Sequence, residues 1–266
     1  MPELPEVEAI ARRLRPDAVG AVIKRIEVLR ARSTAPQKPS VLQKAVGKRI
    51  ESIERRGKNL VLRLSGDLAI RVHLRMSGVL HAIPDARLYT ASTRVLFALK
   101  GGSGIAFEDR RVLGTVHLHS TKEVDDKLRR IGPEPLTKSF TAKYLVDVAS
   151  RSIRPIKIFL MDQHVIAGLG NIYAAEALFE AKIHPAVPAK RIAEDRLRNL
   201  HAGIGKVLKR AIRDAARTFK APDRHEGMRF KVYGRKGEPC TVCGEGIKTL
   251  IQGGRTTYFC ATCQRK

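Results

Sequence analysis

Apolar residues in the first half of the chain recur in short, partly alternating runs. Residues 20–29, 49–64, 68–74 and 94–107 are rich in Val, Ile and Leu and are separated by Gly or Pro turns, the pattern of antiparallel strands closing into a sandwich or a barrel. Ahead of them Val7, Ile10, Ala11 and Leu14 fall at i, i+3, i+4 and i+7, the stripe of one amphipathic helix. Pro5 suits its first turn, and Pro16 predicts its end. The texture changes at Gly132-Pro133-Glu134-Pro135. From there to about Lys220 the spacing is helical, with Gly168, Gly170 and Pro185 as interior breaks, so a domain boundary is expected at residues 131–136. No internal repeat, low-complexity tract or heptad array interrupts this order.

Composition adds a partner to the pattern. The 266 residues carry 51 Lys+Arg against 26 Asp+Glu, a formal charge of +25, with 43% apolar and 29% charged residues. That apolar share supports a sizeable core in one to two domains and excludes a chain disordered throughout. The longest apolar stretches, such as Val95 to Leu99, fall far short of the roughly 18 to 20 residues of a membrane span. The N-terminus also lacks the layout of a signal peptide, so an intracellular protein with no membrane partner is expected. An excess of cations spread along a folded protein points to a polyanion, and to nucleic acid before membrane. Residues 190–220 hold ten Lys+Arg against three acids, which suits either a solvated helix face or a phosphate-facing flank.

All four cysteines lie in the last 27 residues, as Cys240-x2-Cys243-x16-Cys260-x2-Cys263. Two Cys-x2-Cys knuckles complete a tetrahedral four-thiolate zinc site that leaves no position for water, so one structural, non-catalytic Zn2+ is expected. Two disulfides are the competing reading; a reducing compartment and the spacing both favour metal. Zinc would fold a segment too small for its own core. A hairpin is expected over Lys248 to Phe259, with Arg255 near its tip. Arg255 is there either a surface charge or a guanidinium braced to sit between phosphates.

The chain begins Met1-Pro2-Glu3-Leu4-Pro5-Glu6-Val7-Glu8. Removal of Met1, which a small second residue permits, leaves Pro2 with a free secondary amine. An α-amine titrates about two units below a lysine, so a useful fraction is an unprotonated nucleophile at neutral pH. Condensed with an aldehyde it gives an iminium ion, cationic at any pH and therefore an electron sink. Glu3 beside it and Glu6 one turn on bring carboxylates within reach for proton transfer. Taken alone, these residues favour the plainer reading of a proline-led helix start with acids placed by the dipole.

They do not stand alone. The opening heptad, Arg55-Arg56-Gly57-Lys58-Asn59-Leu60, His73-Leu74-Arg75-Met76-Ser77-Gly78, the stretch from Asp162 to Phe179 and the four-cysteine segment together resemble the formamidopyrimidine-DNA glycosylase and endonuclease VIII family, and its formamidopyrimidine branch more closely. The likeness runs in one order from residue 2 to the end. It implies an α+β, multidomain fold: an N-terminal antiparallel β-sandwich with a leading helix (1–131, catalytic), a helix-two-turn-helix DNA-binding domain (136–222) and a C-terminal zinc finger with a β-hairpin (231–266). It implies a bifunctional DNA glycosylase and abasic-site lyase of base excision repair that excises oxidised purines, formamidopyrimidine and 8-oxoguanine, and acts on damaged double-stranded DNA as a cytoplasmic, nucleoid-associated bacterial monomer. Pro2 would be the nucleophile at C1′ and Glu3 the acid/base, with Glu6 in support. Lys58 would reach the phosphates and the opened sugar. Arg255 belongs with these catalytic residues and, with His73, Lys157 and Asn171, matches phosphate-binding positions. The damaged nucleotide would be flipped out, and Met76, Arg111 and Leu113 would fill the vacated stack. By composition Met76 reads as a core residue, so its role rests on the resemblance. β-Elimination and then δ-elimination from the iminium would cut both phosphodiesters.

Three departures from the family pattern bear on substrate choice. The usual Asp-Pro-Arg-Arg-Phe-Gly reads Asp109-Arg110-Arg111-Val112-Leu113-Gly114, so leucine replaces an aromatic wedge. The usual His-Leu-Gly-Met-Ser-Gly has Arg75 in place of its first glycine, adding a charge beside Met76. The segment from Thr218 to Lys231 is also shorter than the loop that closes over the flipped base in 8-oxoguanine-specific members, which points to a broader or pyrimidine-type lesion range. Two other classes compete: a non-catalytic zinc-finger binder of damaged DNA, which has no use for Pro2 beside Glu3, and a zinc-dependent nuclease, which four thiolates do not serve.

Overall fold

The computed structural model describes residues 2–218 and 230–266. The chain divides into two compact units, Met1–Arg130 with Ala215–Glu226, and Ile131–Asp214 with Gly227–Lys266.

The first unit opens with helix α1 (Leu4–Ala18), whose buried face is Leu4, Val7, Ile10, Ala11 and Leu14. Pro16 lies inside it, and the helix ends two residues later, where the Val19 amide returns to the Arg15 carbonyl at 3.1 Å. A proline in the last turn forfeits a single backbone bond and its fixed φ is already helical, so the chain need not stop there. Eight strands follow: β1 (Ile23–Val28), β2 (Ile50–Arg56), β3 (Asn59–Leu64), β4 (Leu68–His73), β5 (Val79–Ile83), β6 (Thr93–Leu99), β7 (Gly104–Glu108) and β8 (Thr115–Ser120). They form two four-stranded antiparallel sheets, β1-β6-β7-β5 and β2-β3-β4-β8. Alternation explains the second sheet: Leu60, Leu62, Ile70, Val72, Val116 and Leu118 are buried on one face, while Asn59, Arg63, Arg71, His73, His117 and His119 lie on the other. The apolar runs at 49–64 and 94–107 each fold as a hairpin. In the first, Gly57 turns the chain at φ 57°, a left-handed conformation that glycine takes without strain. A short helix, α2 (Thr121–Arg129), starts from a Ser120 cap in which hydroxyl and Glu123 carboxylate exchange bonds with the backbone.

The second unit is helical: α3 (Ala142–Ala149), α4 (Ile156–Met161), α5 (Asn171–Glu180) and α6 (Glu194–Thr218). Its last segment carries the hairpin β9 (Lys248–Gln252) and β10 (Arg255–Phe259), paired from Arg255↔Gln252 to Phe259↔Lys248. Val232, Cys240, Ile247 and Cys260 of that segment pack on Ala175 and Phe179 of α5, so the small module shares its core with a helix. No described helix is long and apolar enough to cross a membrane.

Candidate active site and nucleic-acid interface

In the first unit Pro2, Glu3 and Glu6 are all buried at the start of α1. Glu3 is the N-cap residue, and its amide donates to Glu6 Oε2 at 2.8 Å, the acidic half of a capping box. The bond fixes the Pro2–Glu3 peptide against the first turn, so the two residues ahead of the helix do not fray. Lys58 sits in the β2–β3 turn and is 8% exposed.

His73 ends β4, opposite Asn59 on β3 and Thr115 on β8. Its Nδ1 accepts the Arg75 amide at 3.1 Å. Burial pushes its pKa down to about 4, aided by the cations Arg75, Lys58 and Arg71, and the ring is therefore neutral at physiological pH. Met76, two residues beyond Leu74 in the same turn, is 38% exposed, so it is a surface residue and not part of the core.

Arg111 and Leu113 occupy a loop built around one carboxylate. Asp109 is fully buried; Oδ1 accepts Ser77 Oγ at 2.5 Å and the Arg111 amide at 3.1 Å, and Oδ2 accepts the Leu113 and Gly114 amides, both at 2.7 Å. Arg94 Nε holds the Asp109 carbonyl at 2.7 Å. A Cβ on Gly114 would come within 2.6 Å of the Phe107 ring, so only glycine lets the loop return to β8. The motifs contain Ser77 and Asp109 but assign them no role, and Arg94 lies outside them. An acid followed within five residues by a glycine was the available signal, a carboxylate placed to collect successive amides.

In the second unit Lys157 of α4 is fully buried, and its Nζ donates to Asn171 Oδ1 at 2.5 Å and to Thr257 Oγ1 at 2.6 Å. Asn171 Nδ2 donates to the Thr256 carbonyl at 3.0 Å, and Thr257 Oγ1 to Gln252 Oε1 at 3.0 Å. Lys157 and Asn171 thus come together, and they tie α4 and the first residue of α5 to the hairpin whose exposed tip carries Arg255. Gln163 shapes the approach to α5: its amide group donates to the Met161 and Leu169 carbonyls at 2.9 and 2.7 Å and accepts the Gly168 amide at 2.9 Å. Glu176, 1% exposed on α5, accepts the amides of Lys231, Val232 and Tyr233 at 2.9 to 3.0 Å. It anchors the strand of chain that leads into the cysteine segment. Residues 219–229, where the shortened loop was noted, lie outside the described residues.

The Sγ atoms of Cys240, Cys243, Cys260 and Cys263 all lie within 4.8 Å of one another, and the thiols are free. Cys240 and Cys263 are 3.9 Å apart, Cys243 and Cys260 3.5 Å. A tetrahedral zinc–thiolate site with bonds of about 2.3 Å has sulfur–sulfur edges of about 3.8 Å, so the four sulfurs fit that ion. The amides of Val242 and Cys263 point at Cys240 and Cys260 Sγ at 3.4 and 3.5 Å, as knuckle amides do.

Three family models match the chain: the formamidopyrimidine-DNA glycosylase N-terminal domain over residues 1–116, the formamidopyrimidine-DNA glycosylase H2TH domain over 131–222, and the zinc finger found in FPG and IleRS over 237–265. The chain is 39% identical to the formamidopyrimidine-DNA glycosylase of Chloroflexus aurantiacus over 99% of its length and 98% of the relative's. It is 37% identical to that of Bacillus subtilis over the whole of both chains. Among solved structures, it superposes with a TM-score of 0.91 at 33% identity on Lactococcus lactis Fpg in complex with DNA containing an abasic site, over 99% of this chain and 100% of that one. The Lactococcus lactis protein bound to DNA containing N7-benzyl-Fapy-dG gives 0.92 at 33% identity over the whole of both.

Proposed function

The chain belongs to the formamidopyrimidine-DNA glycosylase family, and from that premise we propose how its residues excise a base and cut the strand. It is a DNA glycosylase of base excision repair that acts on DNA carrying oxidised purines such as formamidopyrimidine and 8-oxoguanine. The carrying observation is Pro2 beside Glu3 at the start of a capped helix, with the Glu3 amide held by Glu6 at 2.8 Å.

The Pro2 amine, bared by loss of Met1, attacks C1′ of the flipped nucleotide. The C1′–N bond to the base breaks, and Glu3 protonates the sugar ring oxygen so that the ring opens. The product is an iminium between Pro2 nitrogen and C1′. Its charge acidifies the C2′ proton; loss of that proton expels the 3′ phosphate, and a second elimination expels the 5′ phosphate. Water then releases Pro2 and the unsaturated aldehyde. Glu6 holds Glu3 in place. Lys58 and Arg255 act at the opened sugar and its phosphates, and His73, Lys157 and Asn171 bind the backbone. Met76, Arg111 and Leu113 enter the gap left by the flipped base. Bound to its four cysteines, zinc supplies structure and keeps the Arg255 hairpin rigid. The protein works as a monomer in the cytoplasm, on the nucleoid.

Borohydride reduction of the protein with an abasic-site duplex tests this reading. A covalent protein–DNA adduct that Pro2→Gly greatly diminishes, together with strand nicking, supports it; no adduct from Met1-processed protein leaves a damage-binding paralogue. Binding should weaken steeply with salt as counterions are released, and metal analysis should find about one zinc per chain. A second reading, a broader or pyrimidine-type lesion range, is favoured by Leu113, whose side chain offers no π-face to the stack. A panel of duplexes with oxidised purines and pyrimidines, scored for base release apart from strand scission, separates the two.

A further inference from the structure

We propose that the outer face of the second sheet binds a tetrahedral oxyanion of the phosphate class, held by the Arg71 guanidinium and the Nε2–H of His119 with Lys127 at its rim. None of the residues assigned to the DNA chemistry contributes to it, so it stands independently of the glycosylase reading.

Among the described residues, five buried side-chain polar atoms have no hydrogen-bond partner, and four of them lie on this one face: Asn59 Oδ1 and Arg63 Nη1 on β3, Arg71 Nε on β4 and His119 Nε2 on β8. A buried polar atom left unpaired costs free energy, and here that cost is concentrated on one surface. Both arginine atoms are donors, and a histidine nitrogen can be one. Arg63 is matched by the carboxylates of Glu54 and Asp125, at 3.2 and 2.6 Å. Arg71 is not: no described acid forms an ion pair with it, and the charge acting on it is that of Arg75. Its guanidinium is held from one side, where Nη2 meets His117 Nδ1 at 3.4 Å while His117 Nε2 donates to the Ala35 carbonyl at 2.8 Å. That contact spends the second nitrogen of His117 and leaves Arg71 Nε unused.

The strand register brings the second donor alongside. Arg71 is opposite His117 and Ala69 is opposite His119, so Arg71 and His119 are diagonal neighbours on one face, a separation that long side chains bridge. The His119 side chain is only 9% exposed. Around it stand His117 from its own strand, Arg71 from β4, and Glu123 and Lys127 from α2. Glu123 comes within 3.9 Å of Nδ1, but the same carboxylate accepts the Ser120 amide at 2.9 Å as part of the helix cap. Burial first, then Lys127, Arg71 and His117, hold the His119 pKa down to about 4. An oxyanion between Arg71 and His119 reverses that balance, because it offsets both cations, accepts from Nε and Nε2–H, and favours the charged ring. Water accepts the same hydrogen bonds but leaves the cations unmatched, so the chemistry selects an anion.

The test uses full-length, zinc-loaded protein saturated with a duplex carrying a tetrahydrofuran abasic analogue, which occupies the DNA-binding residues. Inorganic phosphate is titrated in against sodium chloride of equal ionic strength, and the His119 ring nitrogens are followed by nitrogen-15 NMR from pH 5 to 7.5. Phosphate should move the Nε2 resonance and raise the titration midpoint from near 4 toward that of a free imidazole, about 6.5. Arg71→Gln should abolish the response. Lys127→Gln, a change on an exposed helix position that leaves the fold intact, should weaken phosphate binding up to about fivefold. Phosphate that acts with the duplex bound identifies a free anion as the occupant. A duplex that blocks phosphate and itself moves His119 in the same direction identifies a backbone phosphate of DNA. The proposal is overturned if His119 does not respond, if chloride acts equally, if Arg71→Gln responds like the unaltered protein, or if the duplex removes the response without moving His119.

Discussion

Ser77 Oγ donates to Asp109 Oδ1 at 2.5 Å, so the turn bearing Met76 and the loop bearing Arg111 and Leu113 share one buried carboxylate. Three amides close on the same two oxygens. Asp109→Ala strands all four donors at once. A buried carboxylate with this many partners costs about 3 to 5 kcal/mol to remove, and the melting temperature should fall accordingly. On the proposal that Met76, Arg111 and Leu113 fill the gap left by the flipped base, affinity for an abasic-analogue duplex should also fall toward that for undamaged DNA in competition binding. A variant with unaltered melting and unaltered discrimination contradicts this role.

Glu3 and Glu6 lie one helical turn apart, yet they should respond differently to the same change. Glu3→Gln keeps size and burial but removes the acid proposed to open the sugar ring, and single-turnover base release should drop about 10²- to 10⁴-fold. Borohydride trapping on a preformed abasic site should drop far less, because part of that sugar is already an open aldehyde. Glu6→Gln retains an acceptor for the Glu3 amide at the position that now binds it at 2.8 Å. Glu6→Ala does not, and it should lose about 1 kcal/mol of helix-start stability in thermal unfolding.

Much of this arrangement is legible in the sequence. The stripe of Val7, Ile10, Ala11 and Leu14 gave α1, and the paired Cys-x2-Cys knuckles gave the four-sulfur cluster, because both signals are local in sequence. What escaped depends on distant partners. Strand β5 is five residues with only two buried positions, Leu80 and Ile83, too short a pattern to stand out, and it is held by pairing with β7. Helix α2 has only Val124 and Leu128 buried and is marked chiefly by its Ser120 cap. Pro16 overstated its effect, since a helix can absorb one lost bond near its end. The same holds at the site. Pro2, Glu3 and Arg255 were read from motifs, whereas Asp109, Gln163 and Glu176 act by collecting backbone amides, and composition carries no record of which amides converge.

Glu176 is the clearest of those collectors. Its carboxylate accepts the Lys231, Val232 and Tyr233 amides, and Val232 packs in the cluster that includes Cys240 and Cys260. Glu176→Ala should cost about 2 to 4 kcal/mol and should hasten zinc loss to a chelator, read by a colorimetric zinc indicator. Glu180→Gln is the control, because it weakens partly exposed pairs with Lys206 and Lys231, each worth under about 1 kcal/mol. Equal zinc release from the two variants would show that the anchor is not what steadies the cysteine segment.

The outer face of the second sheet predicts an acid sensitivity. His119 on β8 has its pKa pushed down to about 4 by burial first and then by Lys127, Arg71 and His117, against a small opposing pull from Glu123. His117 is shifted the same way, chiefly by burial. A histidine that is neutral when folded but titrates at about 6.5 when unfolded gives the unfolded chain the extra proton between those values. Its contribution to stability is therefore complete above pH 6.5, is lost progressively as pH falls toward 4, and changes no further below that. Melting temperatures at pH 7, 5.5 and 4.5 should fall across this window, and His119→Leu should flatten the fall while leaving pH 7 stability nearly as it was, since Nε2 of His119 has no hydrogen-bond partner to lose. Self-repulsion in a chain of charge +25 also grows in acid. That background is shared by both proteins, so the difference between their slopes isolates the histidine, and parallel slopes would mean that the ring is charged in the folded state as well.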